Sequence, residues 1–406
     1  MNSMKKRTIV ISGLLSLTMV ATACSSDSKT TSTNAPTTTV AAAGTTTSSA
    51  ATVTSAAAAD TTAATTGSSS SEVATTNATS TIDYKALKGS LVASGATFPK
   101  SFYEEAIANF TSVAPNLTIE YGGGGSGKGR SDLQEQVVDF AGTDGVVKAE
   151  DIAKYKGGDF VYVPTVVAPI TMSYNLPSVD KLQLSPATIS AIFQAAITKW
   201  NDPLIAADNP GVTLPGTAIV VAHRSDGSGT TDNFSKFLNA AVGKDAGGDW
   251  KLGTGSELEW PANTQGGDGN SGVAQIVAST EGAIGYVDLS DAKANKLKFA
   301  SVKNKAGKFV PPTLEATAAA VAGAKIKDDL TYFAGWADGD SAYPIAAQTW
   351  IIAYKKQSDP DKAAAIRGFL TYLLTKGQDL APTIDYAPLP ADLRAKALEN
   401  VAKIGS

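Results

Sequence analysis

The sequence predicts an α/β protein whose folded part divides into two lobes. Strand-like and helix-like segments alternate from about residue 90 onward, the pattern of a largely parallel sheet covered by helices. The stretch from Tyr84 to Ser406, about 320 residues, exceeds the size at which a single hydrophobic core usually stops growing. Three times, an apolar strand also runs through a short Ser/Thr/Gly turn into a helix. Such a turn presents unpaired backbone amides and the positive end of a helix dipole at one point, a seat for an anion.

What precedes the folded part has a different character. Lys5, Lys6 and Arg7, then a mostly apolar run from Thr8 to Ala21 and small residues before Cys24, describe a secretory signal peptide over residues 1–24. The apolar run is too short to span a membrane comfortably. Cys24 is the only cysteine, so no intrachain disulfide can form. Ala21-Thr22-Ala23-Cys24 resembles a bacterial lipobox, in which the cysteine is lipidated and becomes the new N-terminus, although Ala21 stands where leucine is usual. That resemblance implies a lipid anchor at Cys24 on the extracytoplasmic face of a bacterial membrane. From Ser25 to about Ser80 the chain is almost all Ser, Thr and Ala, with charges at Asp27, Lys29, Asp60 and Glu72. It has too little to bury to offset its chain entropy, so residues 25–83 read as a disordered tether whose ends sit about 40 Å apart.

Within the folded part, Ser90 to Ala93 reads as a strand. Lys100 to Phe110 reads as a helix, with Phe102, Ala106 and Phe110 at four-residue spacing. Leu117 to Tyr121 is a second strand and Asp132 to Gln136 begins another helix. Val137 to Ala141 leads into Gly142-Thr143-Asp144. Val161 to Tyr174 is a long β-rich run broken by Pro164 and Pro169. Ala218 to Ala222 is a buried strand, followed after a turn by a helical pattern with Phe234, Phe237 and Leu238. Asp359-Pro360 opens a helix, with Asp as cap and Pro at the first position. Its apolar stripe is Ile366, Phe369, Leu370, Leu373 and Leu374. No internal repeat is present.

The three turns are Gly95 to Pro99, Gly122 to Gly127, and His223 to Thr231. If they converge, their amides and hydroxyls suffice to surround a tetrahedral oxyanion. Arg224 adds a planar fork for two ligand oxygens, and Asp226, two residues on, can pair with it and temper its charge. The net charge of −4, without a Lys/Arg cluster, argues against nucleic acid as a partner. Gly122 to Gly129 nearly fits a phosphate-binding P-loop, but Gly129 stands where a hydroxyl must hold magnesium. His223, the sole histidine, lies too close in sequence to Ser228 and Asp226 for a hydrolase triad. A histidine-based metal site lacks ligands as well, and no cofactor is expected.

Ser94-Gly95-Ala96-Thr97-Phe98-Pro99, Gly124-Gly125-Ser126-Gly127, Asp139-Phe140-Ala141-Gly142-Thr143-Asp144 and Arg224-Ser225-Asp226-Gly227-Ser228-Gly229-Thr230 resemble the signature segments of the phosphate-binding proteins of bacterial ABC transporters. Lys199-Trp200-Asn201-Asp202-Pro203, Gly282 to Val287 and Tyr343-Pro344-Ile345 extend the resemblance, which runs in order from about Leu91 to the final helices. Thr143, where the family often has serine, and Lys128, after the second turn, are mild departures.

The resemblance implies a type II periplasmic-binding-protein fold with a ligand cleft between lobes and a two-segment hinge. Residues 84–171 and 345–406 would form lobe I and residues 172–344 lobe II, with crossovers near Ile170 to Tyr174 and Tyr343 to Ala347. It implies phosphate contacts at Thr97, Phe98, Ser126, Asp144, Arg224, Ser228, Gly229 and Thr230, with Asp226 behind Arg224. The expected function is a solute-binding lipoprotein, a monomer and not an enzyme, that delivers inorganic phosphate to the permease and ATPase subunits of an ABC transporter. The alternative is a secreted phosphatase or hydrolase on the same lobes.

Overall fold

The alternating apolar runs become an eleven-stranded sheet in the computed structural model, which describes residues 82–406. The signal peptide, Cys24 and all but the last two residues of the 25–83 tether lie outside the described residues. The strands are β1 (Lys88–Gly95), β2 (Asn116–Gly124), β3 (Phe140–Thr143), β4 (Phe160–Tyr174), β5 (Gln183–Leu184), β6 (Val220–Arg224), β7 (Gln265–Gly267), β8 (Ala283–Asp288), β9 (Lys298–Lys303), β10 (Phe309–Val310) and β11 (Ala346–Tyr354). Their order is β2-β1-β3-β11-β4-β8-β6-β7, and β9 pairs with β4, β5 and β10.

β1 runs parallel to β2 and β3, and β6 parallel to β7 and β8. Parallel neighbours need crossover connections, which is why helices separate these strands in sequence. β4 joins the two parallel groups. Its residues Phe160 to Pro169 pair antiparallel with β11, and Ile170 to Tyr174 pair with β8.

Two expectations are corrected here. Pro164 and Pro169 do not break the β-rich run; β4 is continuous from Phe160 to Tyr174. Pro164 faces Trp350 where the ladder shifts register, and Pro169 sits where β4 changes partner. A missing N–H is tolerated at both places. The helix after the second turn spans Gly125–Gln134 and does not wait for Asp132. Gly124 and Gly125 have φ of +101° and +84°, so the chain turns straight from strand into helix, as only glycine does cheaply.

Helix Lys100–Val113 buries Phe102, Tyr103, Ala106 and Phe110, the face its spacing predicts. Helix Pro360–Leu374 buries Ile366, Phe369, Leu370, Leu373 and Leu374, and the rings of Phe110 and Phe369 meet at 5.4 Å. The Asp359 carboxylate accepts from Asp361 N at 2.9 Å and Lys362 N at 3.3 Å, so the cap forms as read. Among the described residues, no helix is long and apolar enough to cross a membrane.

Candidate functional site

β1, β2, β3 and β6 all deliver their carboxyl ends to one region, where open α/β sheets bind ligands. β1 ends at Gly95, β2 at Gly124, β3 at Thr143 and β6 at Arg224. The three turns singled out in the sequence meet there. Gly127 N donates to Gly227 O at 2.7 Å, joining the second turn to the third. Asn270 N donates to Thr97 Oγ1 at 3.2 Å, tying the first turn to the start of helix Gly269–Ser279.

Arg224 is buried despite its charge, and its guanidinium is held from several sides. Nε donates to Asp226 Oδ1 at 2.6 Å, and Nη2 pairs with the other oxygen of the same carboxylate. Nη1 donates to Thr230 Oγ1 at 3.3 Å, and the backbone N–H to Tyr286 Oη at 2.9 Å. Asp226 also accepts from Gly269 N at 3.1 Å. A buried guanidinium needs this charge and these hydrogen bonds to stay where it is.

Ser228 caps helix Gly229–Val242, its Oγ accepting from Thr231 N at 3.0 Å. Its hydroxyl proton therefore stays free to donate elsewhere. Gly229 and Thr230 follow in the first helical turn, where backbone N–H groups have no partner within the helix. Phe98 is buried edge-to-face against Tyr386, with 6.3 Å between ring centroids. Its carbonyl accepts from Tyr386 Oη at 2.7 Å.

Asp144 lies just beyond β3 and is 1% exposed. Its backbone N–H donates to Ser126 Oγ at 3.0 Å, and Ser126 Oγ donates to Asp144 Oδ2 at 3.2 Å. Asp144 Oδ1 is buried with no hydrogen-bond partner. Burial pushes the carboxyl up to about 7, against the pull of the Thr349 hydroxyl, Arg224 and the Ser126 hydroxyl. It does not cap a helix.

Gly229 is glycine because the walls touch there. A Cβ would stand 2.3 Å from Ser126 Oγ and 2.6 Å from Asp144 Cβ. Gly229→Ala is expected to destabilise the fold by about 1–3 kcal/mol through overpacking. Thermal denaturation checks this, and an unchanged midpoint would mean that the two walls are free to part.

His223 takes no part in a triad. It stacks on Trp260 with ring centroids 4.9 Å apart, and its Nδ1 lies 2.9 Å from Arg224 O. Lys128 pairs with Asp132, which also accepts from Ser94 Oγ at 2.6 Å.

Residues 27–376 match the family model of the PBP superfamily domain. The phosphate-binding protein PstS of Methanocaldococcus jannaschii is 39% identical over 339 residues, covering 77% of this chain and 83% of the relative. That of Pasteurella multocida is 34% identical over 313 residues, covering 76% and 88%. The chain belongs to the PstS family. The crystal structure of a phosphate-binding protein from Stenotrophomonas maltophilia aligns with a TM-score of 0.59 at 21% identity, over 77% of this chain and 93% of that one. At that identity the likeness speaks to the fold, which is the type II periplasmic-binding-protein fold.

Sequence reasoning missed several polar residues of this PstS-family site. Tyr286 Oη accepts from Arg224 N and contacts Thr231 Oγ1 at 2.6 Å. Asn233 Nδ2 donates to the Asp144 carbonyl at 2.8 Å, and Gln348 Nε2 to Asn233 Oδ1 at 2.8 Å. Asn270 is the fourth such residue. It follows β7, a strand too short for periodicity to reveal.

Proposed function

We propose that the chain is an extracytoplasmic solute-binding protein that captures inorganic phosphate and delivers it to the permease of an ABC transporter, held to the membrane by lipid on Cys24. The observation that carries this reading is Asp144. Its unpartnered Oδ1 is a buried acceptor beside donors suited to an anion. A carboxylate beside an anion is repulsive unless the ligand brings a proton, and an unmatched buried polar group costs several kcal/mol. Phosphate near neutral pH carries an O–H, whereas sulfate does not. The names of the PstS relatives point to the same ligand.

In this reading, Phe98, Gly229 and Thr230 present backbone amides, and Thr97, Ser126, Ser228 and Thr230 present hydroxyls. Arg224, steadied by Asp226, supplies the positive charge, and Asp144 takes the ligand's proton into a hydrogen bond. All but the partly exposed Thr97 are buried, so these donors are worth more than in water. Lobe I comprises residues 84–171 and 345–406, and lobe II residues 172–344. The two crossings would then lie side by side, since Ile170 N donates to Ile345 O at 2.9 Å and Tyr343 Oη to Ile170 O at 2.9 Å. Closing about such a hinge would exclude water from the ligand. No contact favours the hydrolase alternative, because the His223 ring is committed to Trp260 and the Arg224 carbonyl.

Calorimetric titration of the full chain with phosphate, arsenate and sulfate tests the reading. Phosphate and arsenate, both protonated near neutral pH, should bind and compete, and sulfate should not. Binding of sulfate as tight as that of phosphate, or turnover of phosphate esters, would overturn it.

A further inference from the structure

We propose that Asn270 is a further residue of the anion site, a neutral clamp that gathers donors from both sides of the cleft and fixes the Thr97 and Thr230 hydroxyls. The proposal rests on the phosphate reading above. Asn270 is fully buried at the second position of helix Gly269–Ser279. Its side-chain amide lies 3.2 Å from Thr97 Oγ1, 3.2 Å from Thr230 Oγ1, 3.3 Å from Arg224 Nη1 and 3.2 Å from Phe98 N. All four belong to residues assigned above to the ligand. Thr97 and Phe98 come from the end of β1, Arg224 and Thr230 from either side of the turn after β6. One amide thus spans the two sides.

The amide can face these groups in two ways. With Nδ2 toward them it donates to both hydroxyls, but its N–H groups then oppose those of Phe98 and Arg224. With Oδ1 toward them, all four of these contacts run from donor to acceptor, at the loss of the longer 3.4 Å contact from Asp288 N to Oδ1. In either orientation the hydroxyl rotors, otherwise free to turn, acquire a fixed direction. The side chain does this without charge, and that neutrality is the point of the choice. A carboxylate of the same shape would hold the same donors and draw the Arg224 charge away from the ligand.

The charged groups around this position are Arg224 at the end of β6 and Asp226 after it, Asp288 at the end of β8 and Asp291 after it, Asp144 in the same site, and Lys100, paired with Glu104 and next to Thr97. Burial raises the pKa of the Asp288, Asp291 and Asp144 carboxyls, so these groups resist carrying charge, and a carboxylate introduced among them meets the same resistance. The cation in direct contact with it is Arg224, the one the ligand needs.

The test is phosphate calorimetry on the full chain, from pH 5 to pH 8, for the wild type, Asn270→Ala and Asn270→Asp. Asn270→Ala should bind about tenfold more weakly, the worth of one or two lost hydrogen bonds. Asn270→Asp should bind at least about a hundredfold more weakly at pH 8, from like-charge repulsion. Its deficit relative to the wild type should shrink toward pH 5 as the introduced carboxyl protonates. A purely structural role would produce no such pH profile, and Asn270→Asp keeps the native shape should Asn270→Ala fold poorly. Both variants binding like a wild type that itself binds phosphate would overturn the assignment to Asn270 alone, as would a deficit in Asn270→Asp that is the same at every pH. A wild type that does not bind phosphate would overturn the ligand reading and this clamp with it.

Discussion

Arg224→Ala is expected to weaken phosphate binding by about two to three orders of magnitude, the scale of losing a buried charge-assisted fork. Arginine has five N–H donors. Two go to Asp226, through Nε and Nη2, and one N–H of Nη1 is shared between Thr230 Oγ1 and, when it faces this way, the Asn270 amide oxygen. The outer N–H groups of Nη1 and Nη2 remain, and they are the pair a tetrahedral ligand would take end-on. Alanine removes them and also strands the Asp226 carboxylate in a nearly buried position, so two effects add. The double variant Arg224→Ala/Asp226→Ala separates them. Removing the stranded charge should restore part of the affinity, while the loss of the fork remains. Arg224→Lys should recover little, because an ammonium is a point charge that Asp226 would hold. Calorimetric dissociation constants decide the matter: single and double variants that both match the wild type would remove Arg224 from the site.

Much of this arrangement is legible in the sequence because it rests on local rules. The Asp359 cap, the apolar stripe from Ile366 to Leu374 and the four-residue spacing of Phe102, Ala106 and Phe110 all follow from short-range pattern, and they form as read. Boundaries fail where glycine or proline behaves according to its partner strands. Pro164 and Pro169 look like breaks until the register shift opposite Trp350 and the change of partner at Ile170 supply the places that need no N–H. The start of helix Gly125–Gln134 depends on two positive φ angles that no periodicity announces.

The site divides along the same line. Turns rich in glycine and hydroxyls betray themselves because an anion seat needs many donors in few residues. The residues that hold those turns in place come singly and from afar. Tyr286 lies on β8, Gln348 on β11 and Asn270 beyond β7, and each reaches the site only through the sheet order. A lone buried amide has no sequence signature. Its role appears only when the atoms it touches are known.

Asp144→Asn is expected to reduce phosphate affinity and to collapse the preference for phosphate over sulfate by at least about a hundredfold at pH 8, a part of the roughly 10⁴ that site-built hydrogen bonding can reach. The reason lies in a single proton. At pH 8, above the value near 7 to which burial pushes it, the Asp144 carboxyl is mostly ionised, and its Oδ1 can only accept. Phosphate offers the proton and sulfate cannot. As pH falls toward 7 the carboxyl itself takes up a proton and can donate to sulfate, so sulfate binding by the wild type should rise by up to about tenfold per pH unit above that value and level off below it. An asparagine amide can donate at every pH, so sulfate binding by the variant should be nearly flat. The same shift sets stability without ligand. A carboxyl raised in the folded state favours folding fully below its ordinary value near 4, and this contribution is lost as pH rises through about 7. Asp144→Asn should therefore gain melting temperature relative to the wild type between pH 4 and pH 8. Titrations with phosphate and sulfate at pH 5 and pH 8, with melting curves at both, test the chain of reasoning. A variant that still rejects sulfate at pH 8 would falsify the proton as the source of selectivity.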